Sequence, residues 1–151
     1  MRKTLLCMDL EGTLISNAVS QIPRPGLYRF LEQVAELCDL IIYTSVNKNR
    51  VTAIQHLLVE EGAAPQWFKK LHVVHPTGTV KPKSACGRED AFLLDDQEGV
   101  IATGEHQWWI QIDEYMPPYS EDDRALYRAL EDIEIRIRLS EPSVRVDLGE
   151  L

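Results

Sequence analysis

The chain has no apolar run near the ~20 residues that a membrane-spanning helix needs, although 44% of its 151 residues are hydrophobic. The apolar run close to its start stops at Asp9, which is too early for the hydrophobic region of a signal peptide. These absences predict a cytoplasmic protein with no membrane partner. The few cysteines (Cys7, Cys38 and Cys86) and the four histidines have no metal-ligand spacing, which argues against a metal centre built from them.

Basic residues are in the minority, with 16 Lys and Arg against 24 Asp and Glu and a net charge of −8. The acidic excess lies in residues 76–151, which carry 17 acidic and 8 basic side chains, whereas residues 1–75 carry 7 and 8. Such a chain is a poor candidate for general nucleic-acid binding or for binding an anionic membrane. An anionic substrate would need a local positive site, most simply a bound divalent cation.

Short apolar segments alternate along the chain with segments of helical periodicity. Helices are predicted from Leu27 to Leu37, from Val51 to Leu58, and from a start at Ser120 onward. Five strands are predicted at residues 5–8, 40–43, 71–74, 91–94 and 108–112. This alternation predicts an α/β fold with a doubly wound, Rossmann-like parallel sheet and helices on both of its faces.

The C-terminal part of the chain fits two kinds of element. Residues 133–139 and 144–148 alternate apolar with charged or polar side chains, which favours a β-hairpin with a four-residue loop. The spacing of Leu126, Leu130, Ile133 and Ile137 fits a continued helix instead. We therefore predict a core over residues 1–133 and an extension over 134–151. An isolated hairpin is marginal in water, so its apolar face would pack on the domain's own body or, alternatively, form a homodimer.

Polar groups come after four of the predicted strands. Asp9, Glu11 and Thr13 stand in a strand-to-turn segment, Thr44 and Ser45 end the second strand, and Lys81 follows the third. The fourth strand runs straight into the acidic pair Asp95-Asp96. Since the carboxyl ends of parallel strands lie side by side, these groups can converge on one site. Carboxylates at such a site can serve as nucleophile and as proton donor with a hard cation between them.

Each of these groups also has an ordinary structural interpretation. A Thr or Ser after a strand commonly caps the next helix, and a lysine in a loop is most often solvated. Adjacent acidic residues after a buried strand are less ordinary, because repulsion and desolvation penalise them unless a cation compensates. The four groups together form a far more specific pattern than any one of them.

The chain resembles the haloacid-dehalogenase-like phosphohydrolases, whose motifs are Asp-x-Asp-x-Thr, a strand-terminal Ser/Thr, a Lys and a strand-terminal acidic pair. It is most similar to the NLI-interacting-factor-like group, which includes the small C-terminal-domain phosphatases. Segments 24–27, 41–45, 80–81 and 93–96 carry this likeness. The resemblance spans roughly residues 4–133 and implies the same α/β core. There is little room for a cap domain between the motifs.

The resemblance implies a phosphatase that works through an aspartyl phosphate. Asp9 matches the nucleophile, Glu11 stands at the general acid/base position, and Thr13 matches the turn threonine. The backbone carbonyl of Glu11 would also bind Mg²⁺. The family normally has Asp at the position of Glu11, and the extra methylene moves the carboxyl group.

The remaining roles follow from the other three motifs. Thr44 and Ser45 would bind the phosphoryl group, and Lys81 would hold both Asp9 and the phosphate. Asp96 matches the direct metal ligand and Asp95 lies beside it, so that Asp9, Glu11, Asp95 and Asp96 are the candidate Mg²⁺ ligands.

An open site suits a phosphorylated macromolecule or a small phosphate ester. The departure at Glu11 keeps a second hypothesis open, a catalytically impaired protein-binding module on the same fold. A phosphotransferase would differ only in the acceptor of the phosphoryl group.

Overall fold

A computed structural model describes residues 3–140 of the protein. Three α-helices are present in this part: α1 (Leu27–Leu37), α2 (Lys48–Glu60) and α3 (Ala125–Ser140). Five strands form one sheet: β1 (Thr4–Met8), β2 (Cys38–Tyr43), β3 (Val73–Val74), β4 (Ala91–Asp95) and β5 (Trp109–Gln111). Short 3₁₀ helices lie in the connections, at Gln66–Lys70, Lys83–Cys86, Glu98–Val100 and His106–Trp108. None of the described helices is long and apolar enough to cross a bilayer.

The five strands pair in parallel, in the order β3-β2-β1-β4-β5. The predicted parallel α/β sheet is therefore confirmed. β1 is the central strand, where Met8 is in register with Ile42 on one side and with Leu94 on the other. The apolar character of β1 and β4 follows from this, because strands inside a parallel sheet are buried on both faces. The parallel pairing also places the residues that follow β1, β2 and β4 side by side at one edge of the sheet.

The larger hydrophobic cluster lies on one face of the sheet and includes Leu6, Met8 and Leu94. All three α-helices contribute to it, and α1 packs against α3. Gly26, with φ +82°, precedes α1, and a Cβ there would lie 2.9 Å from the ring of Tyr127 in α3. Glycine therefore permits both the left-handed backbone and the close approach of the two helices.

The other face of the sheet carries a smaller cluster, which includes Leu5, Cys7, Tyr43 and Leu93. Cys86 and Val100, from two of the short 3₁₀ helices, pack against it. Helices are predicted on both faces of the sheet. On this second face, the helices within residues 3–140 are short 3₁₀ helices of this kind. The long connections from β3 to β4 and from β4 to β5 therefore bring loop residues close to the edge where the polar groups lie.

The third helix differs from its prediction at both ends. It begins at Ala125 rather than near Ser120, because Asp123 Oδ1 accepts from the Ala125 N–H at 3.1 Å while Ser120 Oγ bonds within its own turn. It then continues to Ser140, so the favoured first hairpin strand over residues 133–139 is wrong and the helical alternative is present. The predicted boundary at residue 133 falls inside this helix. The second predicted strand, residues 144–148, lies outside the described residues.

Candidate active site

The polar groups predicted from the strand ends meet at the carboxyl edge of the sheet. Asp9 follows β1, and its N–H donates to the carbonyl of Leu94 at 2.9 Å, which sets Asp9 beside Asp95 at the end of β4. A cleft of about 610 Å³ opens at this edge. Seven residues are predicted to act in catalysis, phosphate binding or metal binding, and all but Thr44 line this cleft: Asp9, Glu11, Ser45, Lys81, Asp95 and Asp96.

Lys81 connects the two buried carboxylates of the site. Its Nζ donates to Asp9 Oδ1 at 2.9 Å and to Asp95 Oδ2 at 2.7 Å, and the residue is only 5% exposed. The ordinary interpretation, a solvated surface lysine, is therefore wrong. The backbone of Lys81 is held as well, because its N–H donates to the carbonyl of Val100 at 2.7 Å. The ammonium group is thus fixed beside the carboxylate that would act as nucleophile.

The turn after Asp9 places a hydroxyl between two carboxylates. Thr13 Oγ1 lies 2.9 Å from Asp9 Oδ2 and 3.0 Å from Asp96 Oδ1. Gly12 makes the turn possible with φ +76°, and a Cβ on it would come within 2.7 Å of Asp96 Oδ2. Glycine is therefore required here both for its left-handed backbone and for the space that Asp96 occupies.

Carboxylate oxygens of Asp9, Asp95 and Asp96 lie within 4.8 Å of one another. Such a set of hard oxygen donors fits Mg²⁺, which commonly binds through one or two carboxylates and keeps several waters. Each of the three has a hydrogen-bond partner at both of its oxygens. For Asp95 these are Lys81 and the Gln97 N–H, the latter at 2.9 Å. Gln97 Nε2 donates to Asp96 Oδ2 at 2.8 Å. Asp95 is the most buried of the three at 1% exposure and holds Lys81 together with Asp9, whereas Asp96 is the most accessible to an ion.

The charges of the site are not balanced by its own residues. Burial is the main factor that raises the pKa of Asp9 and of Asp95, and in both cases Lys81 opposes it. Burial alone would lower the pKa of Lys81, but the carboxylates of Asp9 and Asp95 outweigh it and raise that pKa. Three carboxylates with one buried cation leave an excess of negative charge. A divalent cation would offset this excess, which agrees with the donor set.

Glu11 lines the cleft, but its carboxylate is partly committed to a neighbouring loop. Its Oε2 accepts a hydrogen bond from the Ala18 N–H at 2.6 Å. The side chain is not among the three carboxylates whose oxygens cluster. The structure therefore places Glu11 beside the site, where it can exchange a proton, rather than within the group of carboxylate ligands.

Thr44 and Ser45 are placed differently from each other. Ser45 is exposed and lines the cleft, whereas Thr44 is buried and does not. Thr44 Oγ1 accepts from the Val46 N–H at 3.1 Å, a local turn that occupies the hydroxyl oxygen. Neither residue is the N-cap of α2, because Asn47 takes that position and accepts from the Arg50 N–H. A phosphoryl group in the cleft would therefore meet Ser45 directly.

Several residues that shape the site were not assigned by sequence reasoning. Gln97 directly follows the acidic pair and contacts both of its carboxylates. Trp109 Nε1 donates to the carbonyl of Asp95 at 2.9 Å. Arg24 stands in segment 24–27, which carries the family likeness without a predicted site role, and its Nη1 donates to the carbonyls of the turn after Asp9. Glu114 lines the cleft and accepts from Gln97 Nε2 at 3.1 Å. No local pattern marks Glu114, because it reaches the site through the fold alone.

Comparison with known proteins gives one family and one fold. The model of the NLI interacting factor-like phosphatase family matches residues 4–145, which extends beyond the predicted limit at residue 133. No curated protein sequence matches the chain. Among solved structures, a variant of Fcp1, the fission yeast RNA polymerase II CTD phosphatase, bound to beryllium fluoride, is similar at 15% identity with a TM-score of 0.52. The match covers 93% of this chain and 52% of that one.

Proposed function

The chain belongs to the NLI interacting factor-like phosphatase family, and we propose that it is a Mg²⁺-dependent phosphomonoester hydrolase acting through an aspartyl phosphate on Asp9. One observation carries the proposal: a buried carboxylate at the end of the central strand, held by Lys81 and Thr13, faces an open cleft. A nucleophile of this kind must be oriented and partly charge-compensated before an anionic phosphate can approach it.

The chemical step begins with attack of a carboxylate oxygen of Asp9 on phosphorus. The Asp9–phosphoryl bond forms as the bond to the leaving oxygen breaks, and the leaving alcohol takes a proton from the carboxyl group of Glu11. Because Glu11 Oε2 is bonded to Ala18, we assign the proton transfer to Oε1. Lys81 compensates negative charge on Asp9 throughout, and Ser45 is placed to donate to a phosphoryl oxygen.

Hydrolysis of the intermediate restores the enzyme. Water attacks phosphorus and gives its proton to Glu11, and inorganic phosphate leaves with regeneration of the Asp9 carboxylate. A phosphotransferase would follow the same course with an alcohol in place of water.

Asp9, Asp96 and the backbone carbonyl of Glu11 would hold Mg²⁺. Asp95 would lie beside them and bind Lys81, which also binds Asp9. When bound, the ion supplies positive charge that allows the anionic substrate to meet the carboxylates. The fit of the donor set and the excess negative charge of the described site support this assignment.

The cleft is open at the sheet edge, and the chain between the motifs holds no cap domain. This favours substrates that present an accessible phosphate, including phosphorylated proteins, nucleic-acid ends and small esters. The fission yeast relative is named as a phosphatase of the RNA polymerase II CTD, which makes a phosphoprotein a reasonable first substrate to examine.

The proposal is tested by phosphate release from an aryl phosphate, a phosphoserine peptide, a sugar phosphate and a phosphorylated nucleic-acid end, with and without Mg²⁺. We expect turnover that requires the metal and disappears in Asp9→Asn. Asp39→Asn, at an exposed carboxylate paired with Arg88, is the matched control and should retain activity. Mass spectrometry should detect one added phosphoryl group on the wild type and none on Asp9→Asn. No turnover of any ester by the wild type would contradict the proposal.

The engaged carboxylate of Glu11 supports a second candidate function, a protein-binding module without catalysis. In that case the hydrogen bond to Ala18 would be the main role of Glu11, and the remaining motif residues would hold the fold. The pairing of Lys81 with Asp9 and Asp95 argues for the enzyme, because a site retained only for structure gains little from two buried carboxylates on one lysine.

A further inference from the structure

Arg24 is among the largest fully buried side chains of the described residues, at 1% exposure. Arginine is almost never fully buried unless it is paired. Its Nε and Nη2 donate to the two carboxylate oxygens of Asp123 at 2.9 and 3.1 Å, and Nη2 also donates to the carbonyl of Asp113 at 2.6 Å. Nη1 reaches the carbonyls of Gly12 and Thr13, both at 3.2 Å. The guanidinium group is therefore bonded on every side.

The two carbonyls that Arg24 Nη1 contacts belong to the turn that follows Asp9, the proposed nucleophile. Within that turn, the Thr13 hydroxyl lies 2.9 Å from Asp9 Oδ2 and 3.0 Å from Asp96 Oδ1. A shift of the Gly12–Thr13 backbone would change the distance from this hydroxyl to both carboxylates at once. The position of Asp9 relative to Asp96 thus depends on carbonyls that Arg24 fixes from within the core.

Arg24 also ties a second segment to the same turn. It bonds the Asp113 carbonyl, and the Tyr115 N–H donates to the Gly12 carbonyl at 2.8 Å. Glu114, between these two residues, lines the cleft. Asp123, the charged partner of Arg24, lies just before α3. Three segments, at residues 12–13, 113 and 123, therefore meet on the guanidinium group of Arg24.

We propose that Arg24 is a positioning residue for phosphoryl transfer, which acts by holding the Gly12–Thr13 turn so that Thr13 fixes Asp9 against Asp96. This inference rests on the proposed function. Arginine suits the role because its planar fork offers five donors in fixed directions, whereas lysine offers three donors on one nitrogen. The role differs from general stability, because it predicts a change in the reaction itself at temperatures where the variant is folded.

The experiment compares the wild type, Arg24→Lys and Arg136→Lys well below their melting temperatures. Arg136 is the control because it also pairs with a carboxylate, Asp132, and with a carbonyl, that of Gln107, but does not line the cleft. We expect kcat of Arg24→Lys to fall at least tenfold with KM within about twofold, since misplacement by about 1 Å can cost on the order of a hundredfold in rate. The Mg²⁺ concentration for half-maximal rate should rise, and Arg136→Lys should match the wild type.

Calorimetric titration with Mg²⁺ alone gives a readout that does not need turnover. Weaker binding in Arg24→Lys than in the wild type supports the positioning of Asp9 against Asp96 by Arg24 even if no ester is hydrolysed. That outcome would overturn the proposed function, and with it the reaction that this positioning serves, but not the positioning itself. An active wild type with an equally active Arg24→Lys, or equal Mg²⁺ binding by the two, would overturn the inference. If Arg24→Lys does not fold, Asp123→Asn takes its place, with reduced kcat at unchanged KM supporting the inference and unchanged kcat overturning it.

Discussion

Glu11 accepts a hydrogen bond of 2.6 Å from the backbone N–H of Ala18. Glu11, the residue that we propose transfers the proton, thus also holds the loop that contains Asn17 and Ser20, part of which lines the cleft. The side chain has enough length for both roles because glutamate carries one methylene more than aspartate. A substitution here can therefore separate the chemical role from the structural one.

Glu11→Gln should remove the proton transfer and keep an oxygen for the Ala18 N–H. We expect the rate to fall by about 10²- to 10⁴-fold with a nearly unchanged melting temperature. Glu11→Asp should lower both the rate and the melting temperature. The shorter side chain cannot reach Ala18 from the same backbone, and the lost hydrogen bond costs about 1 kcal/mol. Steady-state kinetics and thermal unfolding check these outcomes. A large gain of activity in Glu11→Asp would contradict the prediction and identify the native glutamate as a handicap.

Lys81→Met should destabilise the protein strongly, because it leaves the buried carboxylates of Asp9 and Asp95 without their cation. Removing one partner of a buried pair costs about 3–5 kcal/mol. Phosphatase activity should be lost. Mg²⁺ should raise the melting temperature of Lys81→Met more than that of the wild type, since the uncompensated carboxylates should bind the ion more tightly. Stabilisation by an ion that binds only the folded state grows with the logarithm of its concentration over its Kd.

Lys83→Met provides the comparison for that prediction. Lys83 lies two residues further along, in the 3₁₀ helix Lys83–Cys86, and its Nζ donates to the carbonyl of Glu89 at an exposed site. It should have a small effect on stability and none on the response to Mg²⁺. An equal response of the two variants to the metal would contradict the role given to Lys81.

Gly12→Ala should impair the site as well as the fold. The left-handed backbone, with φ +76°, costs about 1–2 kcal/mol for a residue with a Cβ, and this Cβ would lie 2.7 Å from Asp96 Oδ2. Gly62→Ala is a matched control, since Gly62 has the same φ of +76° and no atom within 4 Å of the added Cβ. Both variants should lose stability, but only Gly12→Ala should bind Mg²⁺ more weakly in calorimetry. Equal Mg²⁺ affinities would mean that Asp96 is not a ligand.

The sequence predicted the strand ends well because each of the buried strands is a continuous apolar run that stops at a polar residue. Asp9 and Asp95 are visible in this way, and the parallel topology makes their meeting a geometric necessity. The burial of Lys81 was not predictable, since its environment comes from strands and loops that are remote in sequence. The same holds for Arg24 and Asp123, which are 99 residues apart and form one pair.

The C-terminal helix shows why a short alternating segment can be misassigned. Ile133, Ile135 and Leu139 follow the two-residue period of a strand, but Ile133 also belongs to a stripe of apolar residues with helical spacing. Only packing decides between the two. Ile133 is fully buried against the core, whereas Ile135 and Leu139 are 57% and 62% exposed. The contacts of α3 with α1 and β5, which the sequence does not reveal, favour the helix.

Truncation after Ser140 tests the part of the C-terminal prediction that lies outside the described residues. A cavity of about 440 Å³ opens beside Ser140 and is lined in part by Phe92, Trp108 and Leu139. If residues 144–148 pack on the domain's own body, the truncated chain should melt at a lower temperature with the same mass in solution. If they join two copies, the mass should halve. Unchanged mass and melting temperature would contradict both forms of the prediction.

Asp123→Asn should change how stability depends on pH. Partial burial would raise the pKa of Asp123, but hydrogen bonds from Arg24 and from the Ala125 N–H outweigh it, and the folded-state pKa lies below the ordinary value. A carboxyl group with a lowered folded-state pKa stabilises the protein above its unfolded-state pKa, near 3.9, and this contribution is lost as the pH falls towards the folded-state pKa. The wild type should therefore be more stable than Asp123→Asn at pH 7, by about 2 kcal/mol for a charge-assisted hydrogen bond.

That difference should stay constant down to about pH 4 and then shrink as the pH falls further, because the wild-type carboxylate becomes protonated while asparagine does not titrate. Denaturant unfolding of both proteins at a series of pH values from 7 to 3 measures it. Asp132→Asn, at an exposed pair with Arg136, should have little effect at neutral pH, since such pairs contribute about 0–1 kcal/mol. A gap between the wild type and Asp123→Asn that did not change below pH 4 would mean that Arg24 does not bind the ionised form of Asp123 preferentially.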